Sequence, residues 1–319
     1  MKLGIIGTGR IAGRFVPENE TVDKFQIEAV YNPRRSSAKT FAEKWGIPVY
    51  TDDWNKFCDA VEAVYVASPH ETHYQYTKDL LLAGKHVLCE KPLCFSGAEA
   101  KELFQIAEDK KLVLIEAVKT AYCPGFRELL RVAQSGVVGE IKDVEACFTK
   151  LTDPQGRELA GKGAAGSFYE MGTYALLPAV KLLGRPKDAF CQWLPAGPGN
   201  VDGFMKMHLI YEDAFALAKT GLTVKSEGCL IVSGTKGYIL APSPWWLTKD
   251  FVVCFEDTSQ NKKYKFFFDG DGLRYEIRAF REQISDRVYG CRKRSTALSA
   301  EESIWMAELM EKMAECRKK

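Results

Sequence analysis

An apolar run, Leu3-Gly-Ile-Ile6, opens directly into Gly7-Thr-Gly-Arg-Ile-Ala12, and this G-x-G-x-x-A stretch constrains the fold more than any other part of the chain. A buried strand that ends in closely spaced glycines and passes straight into a helix lets backbone N–H groups approach a pyrophosphate, with the helix N-terminus facing its charge. A second strand-like run, Phe25-Gln-Ile-Glu-Ala-Val-Tyr31, follows at the distance a first βαβ unit requires. This context predicts a bound dinucleotide rather than a turn that serves packing alone. Gly7, Thr8 and Gly9 form its cradle, with Arg10 and Ile11 at the helix start.

Strand-like segments at 2–7, 26–31, 62–67, 86–89 and 112–115 alternate with helical patterns at Ser36–Trp45, Thr72–Leu82 and Ser96–Lys110. Such alternation predicts an α/β, doubly wound parallel sheet of the Rossmann type. Beyond about residue 120 the pattern changes. A helix at Phe126–Ser135, a strand at 141–150 and a helix at about 167–183 precede strand-like runs at Met205–Tyr211, Ala214–Leu222, Glu227–Ser233, Tyr238–Leu240, Phe251–Phe255 and Lys263–Phe268. Successive strands with short turns predict an α+β domain with an open, mainly antiparallel sheet. A chain of 319 residues is long enough for two cores. The expected division is a dinucleotide-binding domain over 1–119 and a substrate-binding and oligomerisation domain over 120–319. Ser299-Ala-Glu-Glu302 is a capping box for a terminal helix with Ile304, Trp305, Ala307, Leu309 and Met313 as its core, an element open to packing back on the first domain.

The net charge of +2, from 44 basic and 42 acidic residues, carries no nucleic-acid footprint. No apolar stretch approaches the roughly 18 residues that span a bilayer, and Met1 runs into the first strand without a signal peptide, so a cytoplasmic location is expected. The ten cysteines are scattered, without a C-x-x-C pair, and read as small buried hydrophobes. His70 and His73 sit three apart with no further clustered ligands, so no metal site is expected.

The residue that ends the second strand discriminates between dinucleotides: a carboxylate there holds the ribose 2′-OH of NAD, whereas a neutral residue with nearby arginine suits the 2′-phosphate of NADP. Asn32, followed by Pro33, Arg34 and Arg35, favours NADP over NAD. After the third main strand comes Ser68-Pro-His-Glu-Thr-His73, at the sheet edge where ligands of open α/β folds bind. Ser68, Pro69, His70 and His73 are expected to line the cofactor, with Glu71 and Thr72 capping the next helix. A further strand ends in Glu90-Lys91-Pro92 at the same edge, which sets Glu90 and Lys91 beside the nicotinamide.

Gly7-Thr-Gly-Arg-Ile-Ala12, Ser68-Pro-His-Glu-Thr-His73, Ala83-Gly-Lys-His-Val-Leu-Cys-Glu-Lys-Pro92 and Glu116-Ala117 resemble, in order and spacing, the glucose–fructose oxidoreductase and inositol dehydrogenase family. The resemblance covers the first domain fully and the second loosely, and Glu-Lys-Pro is its specific part. It implies an open sheet whose face covers the nicotinamide, and oxidation or reduction of sugars, polyols and related alcohols. Many members carry Asp-x-Gly-x-x-His or Asp-x-Gly-x-His where this chain has Glu170-Met-Gly-Thr-Tyr174, after a flexible loop at 161–166. A tyrosine there is similar to the dihydrodiol dehydrogenase and glucose–fructose oxidoreductase branches, and Ile115-Glu-Ala-Val-Lys-Thr120 resembles the former.

Glu170 and Tyr174 stand at i and i+4, on one helical face. Tyr174 is the expected proton shuttle for hydride transfer. A phenol, with a pKa near about 10, is a poor base at neutral pH unless an ammonium such as Lys91 favours its charged form. Glu170 is expected to orient the substrate. The packing alternative sets Tyr174 in a core stripe with Met171 and Leu177. Trp245-Trp246 either stacks on substrate or seals a contact, and Lys119, Tyr122 and Arg157 are candidates without local anchoring. Arg292-Lys-Arg294 reads as a solvated stretch. The expected partners are a small-molecule substrate and a second copy of the chain through the outer face of the C-terminal sheet. Two rival readings stay open: a non-catalytic regulator that senses the cofactor, and the redox-assisted glycoside hydrolysis that the resemblance also implies.

Overall fold

The computed structural model describes residues 1–22, 25–160, 164–197, 201–289 and 297–317. The stretch 161–163 of the expected loop and the run Arg292–Arg294 lie outside the described residues. In chain order the elements are β1 (Lys2–Ile6), α1 (Arg10–Glu20), β2 (Gln26–Tyr31), α2 (Arg35–Trp45), β3 (Val49–Thr51), α3 (Trp54–Ala60), β4 (Ala63–Val66), α4 (His73–Leu82), β5 (His86–Glu90), α5 (Gly97–Asp109), β6 (Leu114–Ala117) and α6 (Lys119–Tyr122). There follow α7 (Pro124–Gln134), β7 (Ile141–Thr149), α8 (Ser167–Leu183), β8 (Asp188–Pro195), β9 (Asp202–Ile210), β10 (Phe215–Gly221), β11 (Leu230–Gly234), β12 (Tyr238–Ala241), β13 (Asp250–Cys254), β14 (Lys262–Lys265), α9 (Leu273–Tyr289) and α10 (Ala300–Cys316).

Two compact units emerge. The first comprises Met1–Cys94, Ala98–Lys119 and Asp269–Ser303; the second comprises Phe95–Gly97, Thr120–Phe268 and Ile304–Lys319. In the first, six parallel strands lie in the order β3-β2-β1-β4-β5-β6. The order reverses direction between β1 and β4, which opens a crevice at their carboxyl ends. Leu3, Ile5, Ile6, Val64, Val66, Val87 and Leu88 are buried, as strands covered on both faces require. In the second unit, eight strands lie in the order β14-β13-β12-β11-β7-β10-β9-β8, antiparallel except for β7 beside β10. Helix α8 covers one face of this sheet at β7, β9 and β10.

The fold departs from expectation in places with clear physical reasons. Strand β6 starts at Leu114 rather than 112, because Lys111 turns out of α5 with a positive φ of 56° and Leu112 N–H bonds Ala107 O. The short β3 and α3, and the edge strand β8, give too few residues on a buried face to register as a pattern. Helix α9 goes equally beyond the sequence expectation, although Leu273, Ile277, Phe280 and Ile284 are buried at helical spacing; it packs on α1 in the first unit. The capping box forms, with Ser299 N–H on Glu302 Oε2 at 2.8 Å and Glu302 N–H on Ser299 Oγ at 3.1 Å. Ala307, Leu309 and Met313 are buried in α10, but Met306 and Met310 take the core positions expected for Ile304 and Trp305, which are half-buried. Among the described residues no helix is long and apolar enough to cross a membrane.

Candidate active site

The first unit carries the glycine loop. Gly7 sits at φ 98°, and a Cβ there would stand 2.4 Å from Ala67 O, so only glycine lets β1 pass this close to the end of β4. Gly7 N–H bonds Tyr31 O at 3.0 Å, and Gly9, directly before α1, has open space where a Cβ would point. Backbone N–H groups at a helix start, reached past glycines that carry no side chain, fit the pyrophosphate of a dinucleotide. Thr8 is tied to the end of β2 through Asn32, whose Nδ2 donates to Thr8 Oγ1 at 3.0 Å. Asn32 Oδ1 in turn accepts from Arg34 N–H at 2.9 Å. Arg10, Arg34 and Arg35 are exposed, and Arg35 lies 3.8 Å from Asp52. Ile11 is half-buried at the first turn of α1.

The turn after β4 is joined to the end of β5 by His73, which is wholly buried. Its Nδ1 lies 2.8 Å from Pro92 O and its Nε2 2.9 Å from Ser68 O. A neutral ring has one N–H and donates to one of these carbonyls at a time; burial pushes the imidazole below its ordinary value and so favours that neutral form. His70 packs edge-on against it at 5.6 Å. Thr72 does not cap α4 as expected. Its hydroxyl turns back to Ser68 Oγ and Pro69 O, both at 2.7 Å, and a short 3₁₀ turn, His70–Thr72, precedes the helix instead. Ser68 and Pro69 thus sit on a braced turn.

Glu90 is buried at the end of β5 and accepts from Tyr65 Oη at 2.5 Å, while the Tyr65 ring stacks on Phe15 of α1. Burial pushes this carboxyl above the usual range, against the pull of the Tyr65 hydroxyl and the Lys91 ammonium. Lys91 follows, half-buried, before a cis Lys91–Pro92 bond. Lys119 is bound to Asp271 O at 2.7 Å.

Two buried carboxyls lie here: Glu276, which lies outside the sequence expectations, and Glu116, which the sequence marks only as part of the family motif. Glu276 of α9 has no exposed surface and neither carboxyl oxygen has a partner; burial first, then Glu90 and Glu18, push it well above the ordinary carboxylate range while Lys119 pulls it down. The signal for it lay in the helical spacing of α9. Glu116 of β6 accepts from Leu93 N–H at 3.1 Å, and burial raises its carboxyl to about 7. Because the folded value is raised, the native state keeps a proton that the unfolded chain gives up, so stability is lost as pH rises from about 4.5 to about 7. The shift corresponds to about 3 kcal/mol. Glu116→Gln is expected to leave stability unchanged near about pH 4 and raise it by up to that amount near about pH 8, as checked by urea unfolding at both values.

The second unit carries α8. Gly166 enters it at φ 115°, and a Cβ there would meet Asp202 Oδ1 at 2.3 Å. Asp202 of β9 is wholly buried and caps the helix from outside. Its Oδ2 accepts from Ser167 Oγ at 2.6 Å and Phe168 N–H at 2.8 Å, and its Oδ1 from Arg317 Nη1 at 2.6 Å. On the helix so anchored, Met171 and Leu177 are buried, whereas Glu170 and Tyr174 are half-buried on one face. Arg157 lies 3.7 Å from Glu170, and Tyr174 packs against the ring of Phe148 at 5.5 Å. Tyr122 is buried.

The tryptophan pair divides. Trp245 is core, its Nε1 donating to Cys147 O at 2.8 Å, while Trp246 stacks on Phe148 at 3.6 Å. Phe148, Leu151, Pro244 and Trp246, with Lys150 and Lys225, line a cavity of about 630 Å³. Phe148 had no sequence signal as a site residue. Its neighbourhood with Tyr174 comes from the packing of α8 on β7. Among the described residues no group of three or more His, Cys, Asp or Glu could hold a metal ion.

A parallel sheet with a glycine cradle at its switch point, continued by a second unit built on an open sheet, defines a nicotinamide-nucleotide-dependent oxidoreductase. The chain matches the oxidoreductase family with an NAD-binding Rossmann fold over residues 1–118 and the GFO/IDH/MocA C-terminal domain over residues 126–240, and it belongs to the GFO/IDH/MocA family. It is 31% identical over 250 residues to the scyllo-inositol 2-dehydrogenase (NADP(+)) IolU of Bacillus subtilis, covering 75% of each chain. It is 26% identical to the trans-1,2-dihydrobenzene-1,2-diol dehydrogenase of Homo sapiens, over 98% of this chain and 96% of the relative. Among solved structures it is similar to KijD10, a 3-ketoreductase from Actinomadura kijaniata in complex with TDP-benzene and NADP. That likeness has a TM-score of 0.78 and 25% identity, and covers 98% of this chain and 96% of that one.

Proposed function

We propose that the protein transfers a hydride between NADP, in preference to NAD, and an alcohol of the sugar, polyol or dihydrodiol type, with Tyr174 as proton shuttle, Lys91 as its cationic partner and Glu170 as the orienting carboxylate. The observation that supports this most is that Lys91 follows β5 at the same carboxyl edge of the sheet as the Gly7 cradle. When bound, the nicotinamide supplies the carbon that gives or accepts the hydride. Tyr174 takes the substrate hydroxyl proton in oxidation and returns it in reduction, and the Lys91 ammonium favours the negative oxygen in either direction. Ser68, Pro69 and His70 line the cofactor, while the buried His73 and Glu90, expected beside it, instead brace from behind the turns that carry Ser68 and Lys91. The rings of Phe148 and Trp246 suit a substrate with an apolar face.

Two relatives described with NADP, the IolU dehydrogenase and KijD10, support the cofactor preference, as do Asn32 in place of a carboxylate and the exposed Arg34 and Arg35. The exposed Phe190, Leu194, Phe215 and Tyr238 on the second unit's sheet support a homo-oligomer through that face. A cytoplasmic location fits the nine described cysteines, all free. Nucleotide fluorescence titration, followed by a screen of alcohols for NADPH formation, tests the reading; absence of binding by both NADPH and NADH overturns it. Arg34→Ala with Arg35→Ala is expected to weaken NADPH by about ten- to a hundredfold and leave NADH within about threefold. Equal loss of both nucleotides would remove the preference.

A further inference from the structure

The last turn of α10 lays Cys316 against the edge strand β8. Cys316 Sγ lies 3.3 Å from Cys191 N and 3.7 Å from Cys191 O, and Cys191 Sγ lies 4.0 Å from Met313 O, one turn back on the helix. A sulfur held against the backbone of a second cysteine stands about one side chain from that cysteine's own sulfur, the kind of proximity a disulfide requires. Both residues are partly exposed, whereas Cys58, Cys89, Cys94, Cys123 and Cys147 are buried. A small oxidant can therefore reach this pair.

We propose that Cys191 and Cys316 form a redox-responsive dithiol that closes to a disulfide on exchange with a low-molecular-weight disulfide such as oxidised glutathione. Cys316 loses its proton and its thiolate attacks one sulfur of the oxidant, breaking the oxidant's S–S bond and expelling one thiolate. Cys191 then loses its proton and attacks Cys316 Sγ in the mixed disulfide, forming the internal S–S bond and expelling the second thiolate. The two released protons go to the two expelled thiolates, so the protein dithiol is oxidised as the oxidant is reduced to two thiols. Cys316 attacks first because burial and the neighbouring thiol push Cys191 up to about 12, which keeps it protonated.

The bond would join residues 125 apart in the chain and fix the end of α10 to β8. Arg317, the next residue, pairs with the Asp202 carboxylate that caps α8, so the oxidised form holds the first turn of that helix more firmly. This gives the fold a redox-dependent brace independent of which substrate the enzyme takes.

The test incubates the full-length protein with oxidised glutathione, blocks free thiols and maps peptides without reduction. A peptide pair joined through Cys191 and Cys316, a higher thermal midpoint, and reversal of both by dithiothreitol are expected. Cys191→Ser and Cys316→Ser should each abolish the cross-link and the shift. Stable glutathione adducts without a cross-link, or both thiols staying open to alkylation after treatment, overturns the proposal. Differential alkylation of the unsubstituted protein decides the matter even if a serine variant folds poorly.

Discussion

Lys91→Met and Tyr174→Phe are each expected to lower kcat by about 10²- to 10⁴-fold, the range that a positioned proton-transfer group supplies. Neither residue belongs to the glycine loop or to the Asn32–Thr8 tie, so nucleotide affinity should stay within about threefold of the parent. Loss confined to kcat marks an interaction made in the transition state; a rise in KM alone would mark one made equally in the ground state. Glu170→Gln is expected to act more mildly, through KM, as befits a group that orients rather than reacts. Stopped-flow absorbance of the reduced nicotinamide measures the chemical step directly. Retained turnover in both Lys91→Met and Tyr174→Phe would sink the proposed mechanism while leaving the family and the cofactor untouched.

Asp202→Ala should destabilise the protein by about 3–5 kcal/mol, the usual consequence of stripping one partner from a buried ion pair. The alanine would leave the Arg317 guanidinium, 14% exposed, without its carboxylate, and Ser167 Oγ and Phe168 N–H without their acceptor. Burial pushes the Asp202 carboxyl upward while Ser167, Arg317 and the Phe168 N–H pull it back, so the group depends on all three contacts. Asp202→Asn keeps a neutral acceptor for the helix and is expected to cost less. Urea unfolding monitored by circular dichroism gives both values. A loss below about 1 kcal/mol for the alanine variant would mean that α8 is held by its apolar face alone. Because α8 carries Glu170 and Tyr174, activity should fall before the global midpoint does.

The parts of the candidate site that could be read from residue order are those built on a local rule. The Gly7-Thr8-Gly9 loop, the polar residues after β2, β4 and β5, and the Glu170–Tyr174 face all follow from a strand edge or from helical spacing, each set by neighbours a few positions away. The capping box at Ser299 is of the same kind. The brace formed by His73 between Ser68 and Pro92, the stack of Phe148 on Trp246, and the Asp202–Arg317 clamp join residues between 5 and 115 positions apart. No periodicity links such partners, since their meeting depends on how whole elements pack.

Sequence alone determined the Rossmann sheet, the glycine cradle and the family, because backbone sterics and hydrophobic period act over short range. Only the tertiary structure decided that α9 lines the first unit, that Glu116 and Glu276 are buried there, and that a carboxylate from β9 starts α8. Burial and charge pairing are properties of elements brought together, and it is they that move a carboxyl such as Glu116 toward neutrality.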